Sequence, residues 1–296
     1  MKLLTYQTLD GLKLGVKTER GILDVQAASA ALGINGLPAT PQAFIQAGLS
    51  ALAPLGELIN QALHHTDSAT WIQDEVALTY GACVSHPGKI ICVGLNYRKH
   101  AAETGAQPPA TPILFSKFNN ALAAANETVP LPSNAVKYDY EAELAVVIGK
   151  QCRYVSEDKA LDYVLGYSTA NDASARDLQM QTSQWLLGKT LDKFLPIGPY
   201  LVTSDEAGDP QNMAIRCWLN GELRQNSNTA DMIFSVAQLV SYISQYMTLE
   251  SGDIISTGTP EGVILGMKNQ VWMKPGDEVV VEVGDLGRLT NRMVEG

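Results

Sequence analysis

A mixed α+β fold, rich in strands, is what this chain of 296 residues predicts. Three observations carry that reading. The last hundred residues are punctuated by turn signals that open apolar runs: Gly252-Asp253 before Ile254-Ile255-Ser256-Thr257, and Pro275-Gly276-Asp277 before Val279-Val280-Val281-Glu282-Val283. The run Tyr138-Asp139-Tyr140-Glu141-Ala142-Glu143-Leu144-Ala145-Val146-Val147-Ile148-Gly149 reads as one extended strand. Helical patterning accompanies these strands, as at 235–246, which reads as one amphipathic helix.

Taken in order, residues 1–80 read as a small N-terminal α/β unit. Asp10-Gly11 marks a hairpin between short extended runs, Gly21-Ile22-Leu23-Asp24-Val25 a further strand, and 25–33 and 41–64 helices. His64-His65, beside Thr66-Asp67-Ser68, reads as a surface loop, and no catalytic constellation stands in this part. From residue 85 to 296 a larger, strand-dominated domain is expected. Lys89-Ile90-Ile91-Cys92-Val93-Gly94 is a short buried strand ending on glycine. Residues 104–112 are too proline-rich for regular structure and are a lid candidate. Ser156 is placed to cap a helix running to about Val164, with Glu157 and Asp158 in its first turn. Residues 166–172 read as a strand, Ala173 onward as a helix start, and Trp218-Leu219-Asn220-Gly221-Glu222 as a hairpin.

Bulk properties exclude several classes. A net charge of −10 gives no support to nucleic-acid binding, which needs a basic surface. The four cysteines, Cys83, Cys92, Cys152 and Cys217, form no C-x-x-C pair, so neither a zinc site nor a disulfide framework is expected. The first residues lack a signal-peptide apolar core, and no apolar run approaches membrane-spanning length, so a cytoplasmic protein is expected.

Chemistry concentrates in a few places. Side chains alternate along a strand, so Asp139, Glu141 and Glu143 share one face, while Tyr138, Tyr140, Ala142, Leu144, Val146 and Ile148 share the core face. Carboxylates one pleat apart repel and are costly to bury unless neutralised, and hard oxygen donors suit a magnesium, manganese or calcium ion. An E-x-E pair alone also describes a solvated face. In Asn171-Asp172-Ala173-Ser174-Ala175-Arg176-Asp177-Leu178-Gln179, a third carboxylate, Asp172, would complete a facial oxygen set, with Arg176 and Gln179 on one side of the following helix. The bland alternative is a capping aspartate and a solvated arginine. Lys189, after Gly188, lies in a stretch fixed by two prolines, although an exposed lysine is the usual case. Ile255-Ser256-Thr257-Gly258-Thr259-Pro260-Glu261-Gly262 offers hydroxyls and amides in a glycine-punctuated turn of the kind that binds carboxylates. His100 and Glu103 stand at i and i+3, where a glutamate orients an imidazole for general-base work; a mixed-charge surface helix has the same spacing.

Each signal is weak alone, but their order is specific. Gly-Leu-Asn-Tyr-x-x-His-x-x-Glu, Tyr-Glu-x-Glu-Leu-Ala, Asn-Asp-x-Ser-Ala-Arg-Asp-x-Gln, Gly-Lys-x-x-Asp and Ser-Thr-Gly-Thr-Pro, over about 85–296, resemble the fumarylacetoacetate hydrolase family. The resemblance implies a β-sandwich roll, a homodimer, and a magnesium or manganese ion, with calcium a non-native occupant. It implies Glu141, Glu143 and Asp172 as metal ligands and makes Asp139 a neighbour. His100 and Glu103 become a lid dyad, and Lys189 the cation at a developing oxyanion. Arg176, Gln179, Thr259 and Tyr97 become pocket positions, Thr259 at the substrate carboxylate. At Asn96 the sequence departs from the longest members, which carry an aspartate ligand near here; water is expected in that place.

The activity so implied is metal-dependent hydrolysis of a C–C bond in a β-diketo acid, of the acylpyruvate or fumarylacetoacetate kind. Its competitors on the same site are oxaloacetate decarboxylation, keto–enol or double-bond isomerisation of a 2-hydroxydienedioate, hydration and ureidoglycolate cleavage. A non-catalytic metabolite-binding protein is the alternative outside enzymology. A small anionic keto acid is the expected partner in every enzymatic case.

Overall fold

A computed structural model describes residues 1–38, 40–66 and 68–296. Its centre is an eleven-stranded sheet. In spatial order the strands are Ile72–Gln73, Gly21–Asp24, Gly11–Thr18, Lys2–Thr8, Leu201–Thr203, Val164–Asn171, Ala142–Ile148, Ile254–Ser256, Ile90–Gly94 and Ile113–Lys117, with Tyr80–Gly81 also on Lys2–Thr8. The N-terminal hairpin is therefore continuous with the rest, joined through Lys2↔Val202 and Leu3↔Leu201. A second sheet of five strands runs Glu222–Asn228, Ala214–Leu219, Glu278–Val283, Arg288–Glu295 and Thr128–Leu131.

Two apolar layers hold these sheets. One lies between them and under helix Val236–Tyr246, where Leu144, Val146, Ile148, Ile215, Val281, Leu239 and Ile243 meet. The other covers the opposite face of the large sheet, where Ala145, Val147 and Ile254 meet Phe44, Leu55 and Leu58 of the N-terminal helices. The acidic strand is thus buried on both faces, and any charge it carries must be answered locally.

Several elements follow local chemistry closely. Asn220 and Gly221, with φ of 52° and 80°, form a two-residue hairpin turn whose positive φ at both positions suits the strand twist. Ser235 caps helix Val236–Tyr246 in a reciprocal box with Gln238. No helix among the described residues is long and apolar enough to cross a membrane.

Other elements correct the sequence reading. The expected helix over 41–64 is two helices, Pro41–Ala47 and Leu52–His64, joined by a 3₁₀ turn. The break is at Gly48, whose φ is 57° and where a Cβ would stand 1.9 Å from Gly149 O. The segment after Ser156 is 3₁₀, Glu157–Tyr163, and the serine side chain makes no capping bond. Ala173 does not start a helix: Ser174–Ala175 first pairs with Tyr138–Asp139, and Arg176–Gln179 follows as one turn. The continuous acidic strand is interrupted at Tyr140 and Glu141, leaving Tyr138–Asp139 and Ala142–Ile148 as separate pieces. His64 closes its helix, His65 and Thr66 are exposed, and Asp67 lies outside the described residues.

Candidate metal centre and active site

Register brings the carboxylates together. Ala142 pairs with Asn171, so Glu141 and Asp172 stand side by side just beyond the end of the ladder, with Asp172 N donating to Glu141 O at 2.9 Å. Asn171 Oδ1 accepts from Glu141 N, and Gln225 Oε1 accepts from Ala142 N, both at 2.9 Å. These side-chain bonds satisfy the backbone where the strand breaks. Glu143 lies one pleat on, beside strand Ile254–Ser256, and its Oε2 accepts from Ser256 Oγ at 2.5 Å and Gly258 N at 3.0 Å. The oxygens of Glu141, Glu143 and Asp172 fall within 4.8 Å of one another, all on buried residues.

Cations answer most of this charge. Arg176 Nη2 meets Glu141 Oε1 at 2.6 Å and Asp139 Oδ2 at 2.8 Å, while its Nη1 donates to Gln179 Oε1 at 3.0 Å. Lys189 Nζ bridges Glu141 Oε2 and Asp172 Oδ2, each at 2.7 Å. Gly188 is what allows this: a Cβ there would stand 2.4 Å from Gln179 N and 2.5 Å from Ala175 O, so only glycine lets helix Leu186–Lys189 close on its neighbour. Asp139 shares Arg176 with Glu141 but is not one of the three clustered carboxylates. Besides Arg176 it accepts from the backbone amides of Tyr140, Ile264 and Leu265 at 3.0, 2.8 and 3.1 Å.

The titration behaviour follows from these contacts. Burial pushes the Glu141 carboxyl up, but Arg176 and Lys189 together overrule it and hold it well below the usual carboxylate range. Glu143 goes the other way: burial, then the charges of Asp172 and Glu141, push it well above that range. Burial pulls Lys189 down, yet Asp172 and Glu141 more than restore it, so its ammonium is kept.

A divalent cation fits this donor set. Four buried carboxylates meet three buried cations, Lys117, Arg176 and Lys189, and Glu143 is the one with no cation within ion-pair reach among the described residues. Asp172 Oδ1 lacks an aligned hydrogen bond, although Lys117 Nζ stands 2.6 Å away. A buried carboxylate with no cation of its own, clustered with the oxygens of Glu141 and Asp172, is what a hard oxygen-seeking ion would satisfy.

His100 and Glu103 are in contact. His100 is buried on helix Arg98–Glu103, and its Nδ1 stands 2.7 Å from Glu103 Oε1. A carboxylate only accepts, so Nδ1 is the donor and Nε2 is the ring nitrogen left outside the pair. The imidazole is near enough to Glu141 to contribute to its lowered pKa. Thr259 is buried, and its hydroxyl oxygen accepts from Gln225 Nε2 at 2.8 Å. The Tyr97 ring is wholly buried at the start of helix Arg98–Glu103, its hydroxyl without a hydrogen-bond partner among the described residues. Asn96 is not free to ligate: its amide donates to Phe234 O at 3.1 Å and Thr257 O at 2.8 Å, and its oxygen accepts from Phe234 N at 2.8 Å.

Two contributors escaped the sequence reading. Lys117 is buried with its ammonium on Asp172, Ala173 O and Phe194 O, the last two at 2.9 and 2.5 Å. The alternation Ile113-x-Phe115-x-Lys117, which sets a lysine on the inward side of a strand, was its only signal. Gln225 ties the acidic strand to Thr259 from the second sheet, a contact between residues 142, 225 and 259 that no local pattern announces.

Comparison with known proteins adds to this geometry. The fumarylacetoacetate (FAA) hydrolase C-terminal family profile matches residues 89–294. Oxaloacetate tautomerase FAHD2B, mitochondrial, of Bos taurus is 41% identical over 300 residues, covering 99% of this chain and 92% of that protein. Oxaloacetate tautomerase fahd2, mitochondrial, of Xenopus laevis is 39% identical, covering 99% and 90%. Among solved structures, the fumarylacetoacetate hydrolase of Exiguobacterium antarcticum is similar with a TM-score of 0.80 at 30% identity, over 100% of both chains.

Proposed function

Because the chain belongs to the fumarylacetoacetate hydrolase family, as an enzyme of that family, we propose that it interconverts the keto and enol forms of oxaloacetate. The supporting observation is the 41% identity to an oxaloacetate tautomerase over 99% of this chain, N-terminal unit included. The His100–Glu103 pair suits the chemistry, which requires one base to remove a proton and give it back.

In this reading Glu141, Glu143 and Asp172 hold a magnesium or manganese ion, which supplies Lewis-acid polarisation of the substrate's keto oxygen. His100 Nε2 takes a proton from the methylene carbon between the keto group and the distal carboxylate. The electron pair of that C–H bond moves into a C=C bond, and the carbonyl pair moves onto oxygen. Glu103 holds the imidazolium that results through Nδ1. The Lys189 ammonium, kept charged by its carboxylates, faces the developing oxyanion. His100 returns the proton to that oxygen, and no water is consumed. Thr259 and Gln179 receive the substrate's carboxylates, and Tyr97 backs the lid.

A second reading is C–C bond hydrolysis of an acylpyruvate or fumarylacetoacetate, in which the same imidazole deprotonates a water. It is favoured by the full-length likeness to a fumarylacetoacetate hydrolase structure. Purified protein with magnesium or manganese, assayed on enol-oxaloacetate and on an acylpyruvate, separates the two. Tautomerisation without cleavage supports the first reading; cleavage with oxaloacetate untouched overturns it. His100→Ala is expected to lower turnover by about 10²–10⁴-fold while leaving manganese binding intact. Full activity in that variant removes His100 from the mechanism. Sedimentation would test the homodimer that accompanies this proposal.

A further inference from the structure

We infer that Gly266 is a positioning residue for the lid: its missing side chain is the seat on which Glu103 rests, and that seat keeps His100 turned into the site. The inference rests on the reading of His100 as the acting base. The lid helix Arg98–Glu103 has six residues, too few to hold its own shape in water. It is pinned from outside at both ends. At its start the Arg98 guanidinium donates to Asp231 O and Met232 O, and Asp231 Oδ2 accepts from Lys99 N at 3.0 Å. At its end Glu103 Oε2 accepts from Gly262 N at 3.0 Å, while Oε1 takes the imidazole N–H.

The two glycines of this receiving loop differ in kind. Gly262 has a φ of 98°, and a Cβ would stand 2.2 Å from Arg224 O, so backbone conformation and backbone crowding both demand glycine there. Gly266 has no left-handed φ. A Cβ at Gly266 would stand 2.6 Å from Glu103 Cδ, 2.8 Å from its Oε2 and 3.0 Å from its Cγ. All three atoms belong to one movable side chain. An added methyl is therefore absorbed by moving Glu103 rather than by unfolding the loop. The seat itself is rigid, because the turn Ile264–Gly266 begins with two amides held by Asp139, whose carboxylate also grips Arg176 beside Glu141. The lid is thereby indexed to the metal triad through Gly266, Asp139 and Arg176.

The test is Gly266→Ala, alone and with Glu103→Ala or Glu103→Asp, read by hydrogen exchange over 98–103, turnover, manganese titration and Tm. Gly266→Ala is expected to exchange its lid amides about tenfold faster and to lose about tenfold or more in kcat. Manganese affinity and Tm should stay at wild-type values. Added to Glu103→Ala it should cost nothing more, and the shorter Glu103→Asp should recover part of the loss. If Gly266→Ala lowers Tm, the double variant with Glu103→Ala must return to the Tm of Glu103→Ala; a persistent loss overturns the inference. Wild-type exchange and turnover in Gly266→Ala, or a loss that adds to that of Glu103→Ala, overturns it too. Should the wild-type protein turn over none of the keto acids, the functional reading fails, while lid exchange still decides whether Gly266 seats Glu103.

Discussion

Lys189 Nζ lies 2.7 Å from Asp172 Oδ2 and equally close to Glu141 Oε2, so one ammonium bridges two of the three carboxylates offered to a metal. Lysine and divalent ion draw on the same oxygens and repel each other across them. Lys189→Met is therefore expected to bind manganese about tenfold more tightly, a gain of about 1.4 kcal/mol, while turnover collapses for want of the cation at the oxyanion. Isothermal titration with manganese measures the first and a kinetic assay the second. Weaker binding would mean that the ammonium organises the carboxylates rather than competing for them.

Glu143 is the carboxylate without a cation, raised by burial and by its two acidic neighbours. Removing its charge should relieve that repulsion, so metal-free Glu143→Gln should melt no lower than wild type. At a hundredfold excess of metal over Kd the wild type gains about 2.7 kcal/mol, a rise of several degrees in Tm, and the variant should gain none. Paired thermal scans with and without manganese check both halves. A variant that melts several degrees lower without metal would show Glu143 to be a structural keystone.

Much of this site was legible in order and spacing, because its residues sit at fixed offsets within five short motifs. The apolar set Tyr138 to Ile148 does face the main core, as alternation implies. What alternation could not supply is the set of partners that hold Asp139 and Glu141. The strand breaks after Asp139, where side chains of Asn171 and Gln225 take over the backbone amides of Glu141 and Ala142, and neither partner is near in sequence. The roles of Lys117 and Gly266 were hidden for the same reason: each is defined by what arrives opposite it from more than fifty residues away.

Asp139 is thus expected to matter for stability rather than for metal. It accepts from buried Arg176 and from three backbone amides, two of them buried and that of Leu265 part-buried. Asp139→Ala strands those donors and leaves Glu141 as the one carboxylate on Arg176. A loss of about 3–5 kcal/mol in urea unfolding is expected, the scale seen when one partner of a buried ion pair is removed. A near-neutral result would require water to enter and replace the carboxylate.

The last relationship ties the N-terminal unit to the catalytic part. Half-buried Glu75 accepts from Lys17 Nζ at 2.9 Å, from Tyr80 OH at 2.8 Å and from Tyr200 OH, and Lys17 Nζ also reaches Tyr200 OH at 2.8 Å. Burial raises the Glu75 carboxyl, but hydrogen bonds from Tyr200, Lys17 and Tyr80 overrule it and hold its pKa below the ordinary 4.5. A depressed carboxylate pKa stabilises the folded chain fully above the unfolded value, and that contribution is lost as pH falls through the folded one. Wild type should therefore melt above Glu75→Gln at pH 7, and the gap should begin to close near pH 4.5 and shrink steadily below it. Melting curves of both proteins from pH 7 to pH 3 measure the gap. If it stays constant across that range, the charge of Glu75 contributes nothing to this contact.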